Sequence, residues 1–194
     1  MADAAAASRE FQPLAIPEVL LVTPRRFGDS RGFFSETWNA ARYEAAGIAG
    51  PFVQDNHSLS AQPGTVRGLH CQVGAAVQGK LVRVVRGAIW DVAIDMRLGS
   101  PTYRHHVAAE LSASNGAQLW IPPGFLHGFC TLEPDTEVVY KVSHGYYDPA
   151  AERGVIWNDP DLALPWPAVA DSSTLSAKDA KLPRLAACEA WFHA

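Results

Sequence analysis

From Glu18 onward, apolar residues recur in short runs with a two-residue period, and glycine or proline interrupts most of the gaps. That rhythm predicts strands over Val19–Val22, Gly32–Trp38, Phe52–Ser58, Val66–Gln72, Lys80–Val85, Ala88–Met96, His106–Leu111, Gln118–Ile121, Gly128–Leu132 and Glu137–Ser143. Turn signals such as Pro63-Gly64, Gly87 and Asn115-Gly116 separate them, and Pro24–Arg31 reads as a turn-rich loop. One early helix is expected over Asn39–Gly47, with Asn39 as cap, alanines inside and Gly47 as stop. Beyond Asp159 the chain is proline-rich and less regular, with helical character over Ser176–Lys181 and in the alanine-rich stretch after it. Many short strands at this spacing predict a mainly β chain folded as an antiparallel sandwich or barrel. No internal repeat or linker divides it.

Strand parity assigns faces. Trp90, Val92, Ile94 and Met96 share one side while Asp91 and Asp95 take the other, which predicts a half-buried strand. Tyr140 shares a side with Val138 and Val142 and is expected to face inward, where a phenol needs a partner. Lys80 shares a side with Val82 and Val84, so it too points into the barrel, at a cost unless an anion meets it. His70 and Arg67 belong to opposite sides of a regular strand. Both reach one cavity only if the chain bulges, and Gly68 is the expected place.

Composition narrows the classes. The 194 residues are 48% hydrophobic and 19% charged, which fits a folded chain with a real core. A net charge of −4 argues against a nucleic-acid backbone as partner. Cys71, Cys130 and Cys188 form no C-x-x-C pair and read as reduced thiols of a cytoplasmic protein. The first ten residues lack a signal-peptide pattern, and no apolar run has bilayer-spanning length, so no membrane association is expected.

The candidate chemistry is proton movement beside a carbonyl. His70 is either a hydrogen-bonded structural histidine or a base that works near neutrality. Lys80 is either solvated or a cation for an oxygen that becomes an enolate. Tyr140 is either core or a proton donor. A metal site draws little support from six of the seven histidines, scattered as His57, His70, His105, His106, His127 and His144 with no His-x-His pair. Cys71 neighbours His70, but on a strand the two point apart. Arg25, Arg26, Arg31 and Arg67 are surface charge or a bidentate grip on a diphosphate. Phe33, Phe34, Trp38, Tyr146 and Trp157 fill core or stack on a base.

Several ordered motifs carry a family resemblance. Phe27-Gly28-Asp29-x-Arg31-Gly32-Phe33-Phe34, Phe52-x-Gln54-Asp55-Asn56-His57-Ser58 and Arg67-Gly68-Leu69-His70 come first. Gln78-x-Lys80-Leu81-Val82-Arg83, Leu119 to Phe129, Tyr140-Lys141, Trp157-Asn158-Asp159-Pro160 and Leu175-Ser176-Ala177-Lys178-Asp179 follow. Together they resemble the dTDP-4-dehydrorhamnose 3,5-epimerase family. The resemblance implies a cupin-type antiparallel jelly-roll barrel with a few short helices, a homodimer, and no metal or redox cofactor. It divides the chain into a flexible N-terminal tail (1–15), a single jelly-roll domain (16–185) and a C-terminal tail (186–194). By the resemblance, the substrate is a dTDP-linked 4-keto-6-deoxyhexose inverted at C3 and C5. His70 resembles the base, Asp179 its carboxylate partner, Tyr140 the opposing acid and Lys80 the enolate's cation. Gln54, Asn56, Arg67 and His127 resemble sugar-diphosphate contacts, with Tyr146 and Trp157 as further substrate contacts. Arg31, Phe34 and Glu36 resemble residues that reach the neighbouring subunit's site.

Three rival readings stand beside it: an epimerase acting at one carbon only, a metal-dependent cupin enzyme, and a non-catalytic nucleotide-sugar binding module.

Overall fold

The computed structural model describes residues 10–194. It has fifteen strands, of which eleven build two facing sheets. The larger sheet runs β1 (Phe11–Pro13), β2 (Leu20–Val22), β11 (Gln118–Ile121), β7 (Lys80–Arg86), β13 (Thr136–Ser143), β5 (Phe52–Ser60). The smaller runs β10 (His106–Ser112), β8 (Ala88–Asp95), β12 (Phe125–Thr131), β6 (Val66–Gln72), β14 (Glu152–Gly154). Every pairing within the two is antiparallel, as in a jelly roll. Two small additions complete the set. β3 (Arg26–Asp29) and β4 (Gly32–Ser35) form a hairpin of their own, and β15 (Phe192–His193) lies parallel to β9 (Arg97–Leu98).

Alternation on the strands creates three apolar layers. Val82, Val84, Ile89, Ala93, Leu119, Phe125, Phe129 and Val138 interlock between the sheets. On the outer face of the smaller sheet, Leu69, Val92, Ile94 and Leu126 are covered by Leu162, Leu185 and partly by Trp166, Trp191 and Phe192. Outside the larger sheet, Leu20, Leu81 and Trp120 pack on Tyr43 and Ile48 around helix α1 (Ala40–Ala45). Asn39 caps that helix by accepting from the Arg42 N–H, as its sequence signal predicts.

Four expectations change. The loop over Pro24–Arg31 is half a hairpin, because Ser30 and Arg31 alone form the turn between β3 and β4. Asp91 and Asp95 do not face solvent: both faces of β8 are covered, and both carboxylates are fully buried. They are tolerated there because each is hydrogen-bonded, Asp91 to His127 and Asp95 to Arg97, Ser100 and Thr102. The 186–194 tail is not loose, since Trp191 and Phe192 pack on the outer apolar layer and β15 pairs with β9. Of the expected 1–15 tail, residues 1–9 lie outside the described residues. Residues 11–13 form β1, and Glu10 is buried in an ion pair with Arg42.

The bulge expected at Gly68 is present. Between His127 and Phe129 the partner strand advances three residues, from His70 to Arg67. The extra residue re-aims the strand so that Arg67 and His70 line one cavity. Gly68 has φ +108, and a Cβ there would sit 2.7 Å from the His127 carbonyl oxygen and 2.8 Å from Gly128 Cα. Both are backbone atoms that cannot rotate away. Gly68→Ala is therefore expected to cost about 2–5 kcal/mol, read as a lowered urea midpoint at unchanged slope.

Candidate functional site

The apolar filling between the sheets stops short of one end, and there the inward positions become polar. They enclose a cavity of about 500 Å³, adjoined by a second of about 310 Å³. His70 on β6 and His127 on β12 are direct partners across their strand pair and line it from the smaller sheet. Lys80 on β7, Asn56 on β5 and Tyr140 on β13 line it from the larger one.

His70 Nε2 lies 2.8 Å from Asp179 Oδ1. Asp179 comes from a 3-10 turn, Asp179–Lys181, far along the C-terminal segment, and is buried. The Gly68 N–H donates to its Oδ2 at 3.3 Å, and the Asp179 N–H donates to Ser176 Oγ at 3.0 Å. Burial works to raise its carboxyl, but the hydrogen bonds and the His70 charge outweigh it and hold the group below the ordinary carboxylate value. An ionised Asp179 fixes the proton of a neutral His70 on Nε2 and leaves Nδ1 as the proton-accepting nitrogen.

Lys80 forms no hydrogen bond or ion pair among the described residues. Burial pulls its pKa down, against the opposing influence of Cys71, Asp91 and Glu152. Such an ammonium lacks a counter-oxygen and gains from any anion that enters. The Tyr140 hydroxyl is likewise without a hydrogen-bond partner among the described residues. Burial pushes its pKa up against the pull of Arg67, so it carries its proton at neutral pH. Cys71 sits in the outer apolar layer, and burial pushes its thiol up to about 12, which removes it as a nucleophile.

The remaining expected contacts divide. Arg67 lines the cavity, its guanidinium braced by Ser60 Oγ at 3.2 Å and the Leu59 carbonyl at 3.0 Å. Gln54 and Asn56 share a hydrogen bond of 2.9 Å on β5. Arg31 and Phe34 stand on the exposed β3–β4 hairpin, and Glu36 just beyond it is held by Arg42. None of these three lines this chain's cavity. Tyr146 is exposed beside the wall residue Tyr147. Trp157 corrects the expectation of a substrate contact: it packs edge-on against Trp166 outside the smaller sheet, and its carbonyl accepts the Trp166 indole N–H. The chain after β14 crosses that outer face and carries Trp157 away from the cavity.

Four groups in or behind the cavity wall escape the sequence reading. Tyr147, Glu152 and Lys178 line the wall, with Lys178 Nζ 2.6 Å and the Tyr147 hydroxyl 3.2 Å from Glu152 Oε2. Lys178 sits inside the quoted Leu175–Asp179 motif, but a three-residue strand gives Glu152 no alternation to read. Asp91 is the fourth, seen in sequence only as part of a polar face.

The family model described as dTDP-4-dehydrorhamnose 3,5-epimerase matches residues 13–187. A protein of that name from Sinorhizobium fredii is 52% identical over 179 residues, covering 92% of this chain and 90% of its own. The crystal structure of a dTDP-4-dehydrorhamnose 3,5-epimerase from Bacillus anthracis, with TDP and pyrophosphate bound, superposes with TM-score 0.86 at 48% identity, over 90% of this chain and 98% of its own. That of a dTDP-6-deoxy-D-glucose-3,5-epimerase from Legionella pneumophila, in complex with dTDP-4-keto-L-rhamnose, superposes with TM-score 0.88 at 41% identity, over 95% and 97%.

The Asp179 carboxyl ties stability to pH. A carboxyl depressed in the folded state contributes stability above the ordinary carboxylate range and loses it as pH falls through the native value. Asp179→Asn is expected to remove that contribution and to flatten the acid limb of stability below about pH 4 relative to the parent, as measured by urea unfolding at stepped pH.

Proposed function

The chain belongs to the dTDP-4-dehydrorhamnose 3,5-epimerase family, and on that footing we propose that it inverts C3 and C5 of dTDP-4-dehydro-6-deoxy-D-glucose to give dTDP-4-dehydro-L-rhamnose. The observation that carries the reading is the opposition of His70–Asp179 on one sheet to Lys80 and Tyr140 on the other, across a single cavity. The C4 ketone acidifies the hydrogens on C3 and C5. His70 Nδ1 removes one, and Asp179 stabilises the imidazolium that results. The electron pair moves onto the ketone oxygen, where the unpaired Lys80 ammonium meets the enolate charge. Tyr140 returns a proton to the opposite face and inverts the centre.

Arg67 and His127 suit the diphosphate, and Gln54 and Asn56 the sugar hydroxyls. Exposed Tyr146 offers a flat face for the base next to the cavity wall. Phe27, Phe33 and Phe34 are exposed on a hairpin that joins neither main sheet. A two-stranded ribbon is marginal alone, so this one gains by packing on a second copy of the chain. In such a homodimer Arg31, Phe34 and Glu36 reach the partner's nucleotide. The three cysteines are free, which suits the cytoplasm. Among the described residues, no helix is long and apolar enough to cross a membrane.

The reading is tested by NMR of dTDP-4-keto-6-deoxyglucose with the protein in heavy water. Deuterium at both C3 and C5 is expected; label at one carbon makes it a single-centre epimerase, and label at neither refutes the reading. His70→Ala is expected to lower turnover by about 10²–10⁴-fold. Tyr140→Phe is expected to preserve solvent exchange better than product formation; unimpaired epimerisation would remove Tyr140 as the donor.

A further inference from the structure

Asp91 has no part in the mechanism above, yet it is fully buried behind the cavity-lining His127. Its Oδ1 lies 2.7 Å from His127 Nε2, and its Oδ2 has no hydrogen-bond partner among the described residues. His127 Nδ1 is also without a protein partner among them, and the ring is part of the cavity wall. A carboxylate facing Nε2 requires a proton on that nitrogen, so the neutral ring keeps a bare lone pair on Nδ1. A lone pair repels a phosphate oxygen. It binds one only after taking a proton.

Charged neighbours set the balance. On β6, His70 opposes a second positive charge, as does Lys80 on β7; burial favours the neutral ring most of all, and Asp91 on β8 alone pulls the other way. Arg67 on β6 adds a further cation to the cavity, while Tyr140 on β13 is neutral. Asp179 is engaged by His70, and Glu152 on β14 by Lys178. The empty site therefore holds His127 neutral, and an entering dianion reverses that preference.

We propose that Asp91 is a positioning residue: it fixes His127 with Nδ1 free for the ligand, and the pair takes up one proton when the diphosphate of a sugar nucleotide lies against it. The inference rests on the substrate class proposed above. Its sign follows from linkage: a ligand that prefers the protonated pair binds more weakly as pH rises, by up to about tenfold per pH unit between the free and liganded pKa values.

Calorimetric titration with dTDP-glucose tests it, because an esterified diphosphate carries no group titrating near neutrality. Heats measured at one pH in HEPES and in Tris, which differ in ionisation enthalpy, are expected to differ by the uptake of about one proton per chain. His127→Gln and Asp91→Asn are each expected to abolish that difference and to flatten the pH dependence of affinity. In Asp91→Asn the amide can donate to Nε2 and move the proton to Nδ1, but no carboxylate stabilises the imidazolium. Equal heats in both buffers, or uptake that persists undiminished in His127→Gln, would overturn the proposal while leaving the substrate reading intact. Failure of the parent protein to bind dTDP-glucose overturns both. Should Asp91→Asn not fold, the parent and His127→Gln decide between them.

Discussion

The hydrogen bonds on the Asp179 carboxylate are the constraint from which the site follows. Burying a carboxylate is costly unless hydrogen bonds offset the lost hydration, and here the partners are the His70 ring and the Gly68 N–H. Gly68 and His70 belong to the bulged stretch of β6, 109 residues before Asp179 in the case of the histidine. One side chain thereby binds the C-terminal segment to the irregular part of the smaller sheet. The apolar cover supplied by Leu162, Leu185 and Trp191 brings the segment into place. The carboxylate then fixes the angle of the His70 ring. Packing supplies the attraction, and the hydrogen bonds supply the geometry.

The same division of labour shapes the interior. Phe125 and Phe129 fill the space between the sheets on either side of His127, so one strand contributes both core and chemistry. A barrel end left polar costs stability, chiefly at Lys80, whose half-buried charge has no protein partner among the described residues. That cost is a reservoir for binding: an anionic ligand regains what the empty site forgoes.

Much of this was readable in the chain, and the reasons differ from element to element. Strands β6 and β11 have the limits their alternation predicts, and parity placed Lys80 and Tyr140 on the inward side where the structure has them. Even the bulge was visible, because Gly68 alone reconciles Arg67 and His70. The failures come from contacts that no local pattern encodes. Asp91 and Asp95 alternate with apolar neighbours as a solvated face would, and only the opposite sheet and the buried partners reveal them as interior. β14 and β15 are three and two residues long, too short for a period. Trp157 reads equally as stacking platform or filler until the path of the chain after β14 is known. The pairing of His70 with Asp179 came from resemblance alone, since spacing carries no trace of a contact between a strand and a distant turn.

Two histidine–aspartate pairs thus stand side by side on one sheet, alike in chemistry and unlike in setting. The His70 side chain remains 23% exposed and Asp179 only 5%, so the ring can meet substrate while its carboxylate stays dry. His127 is 8% exposed, and Asp91 is sealed completely. A base that must collect a proton from carbon and release it again needs the first arrangement. Deeper burial disfavours the charged ring of the second pair until another charge arrives, which suits a group that answers to the ligand's phosphates and not to its carbon atoms. The direct cross-strand pairing of His70 with His127 makes the two answers interdependent. A positive charge on His70 raises the cost of a proton on His127. Negative charge brought close to the His127 ring relieves that conflict.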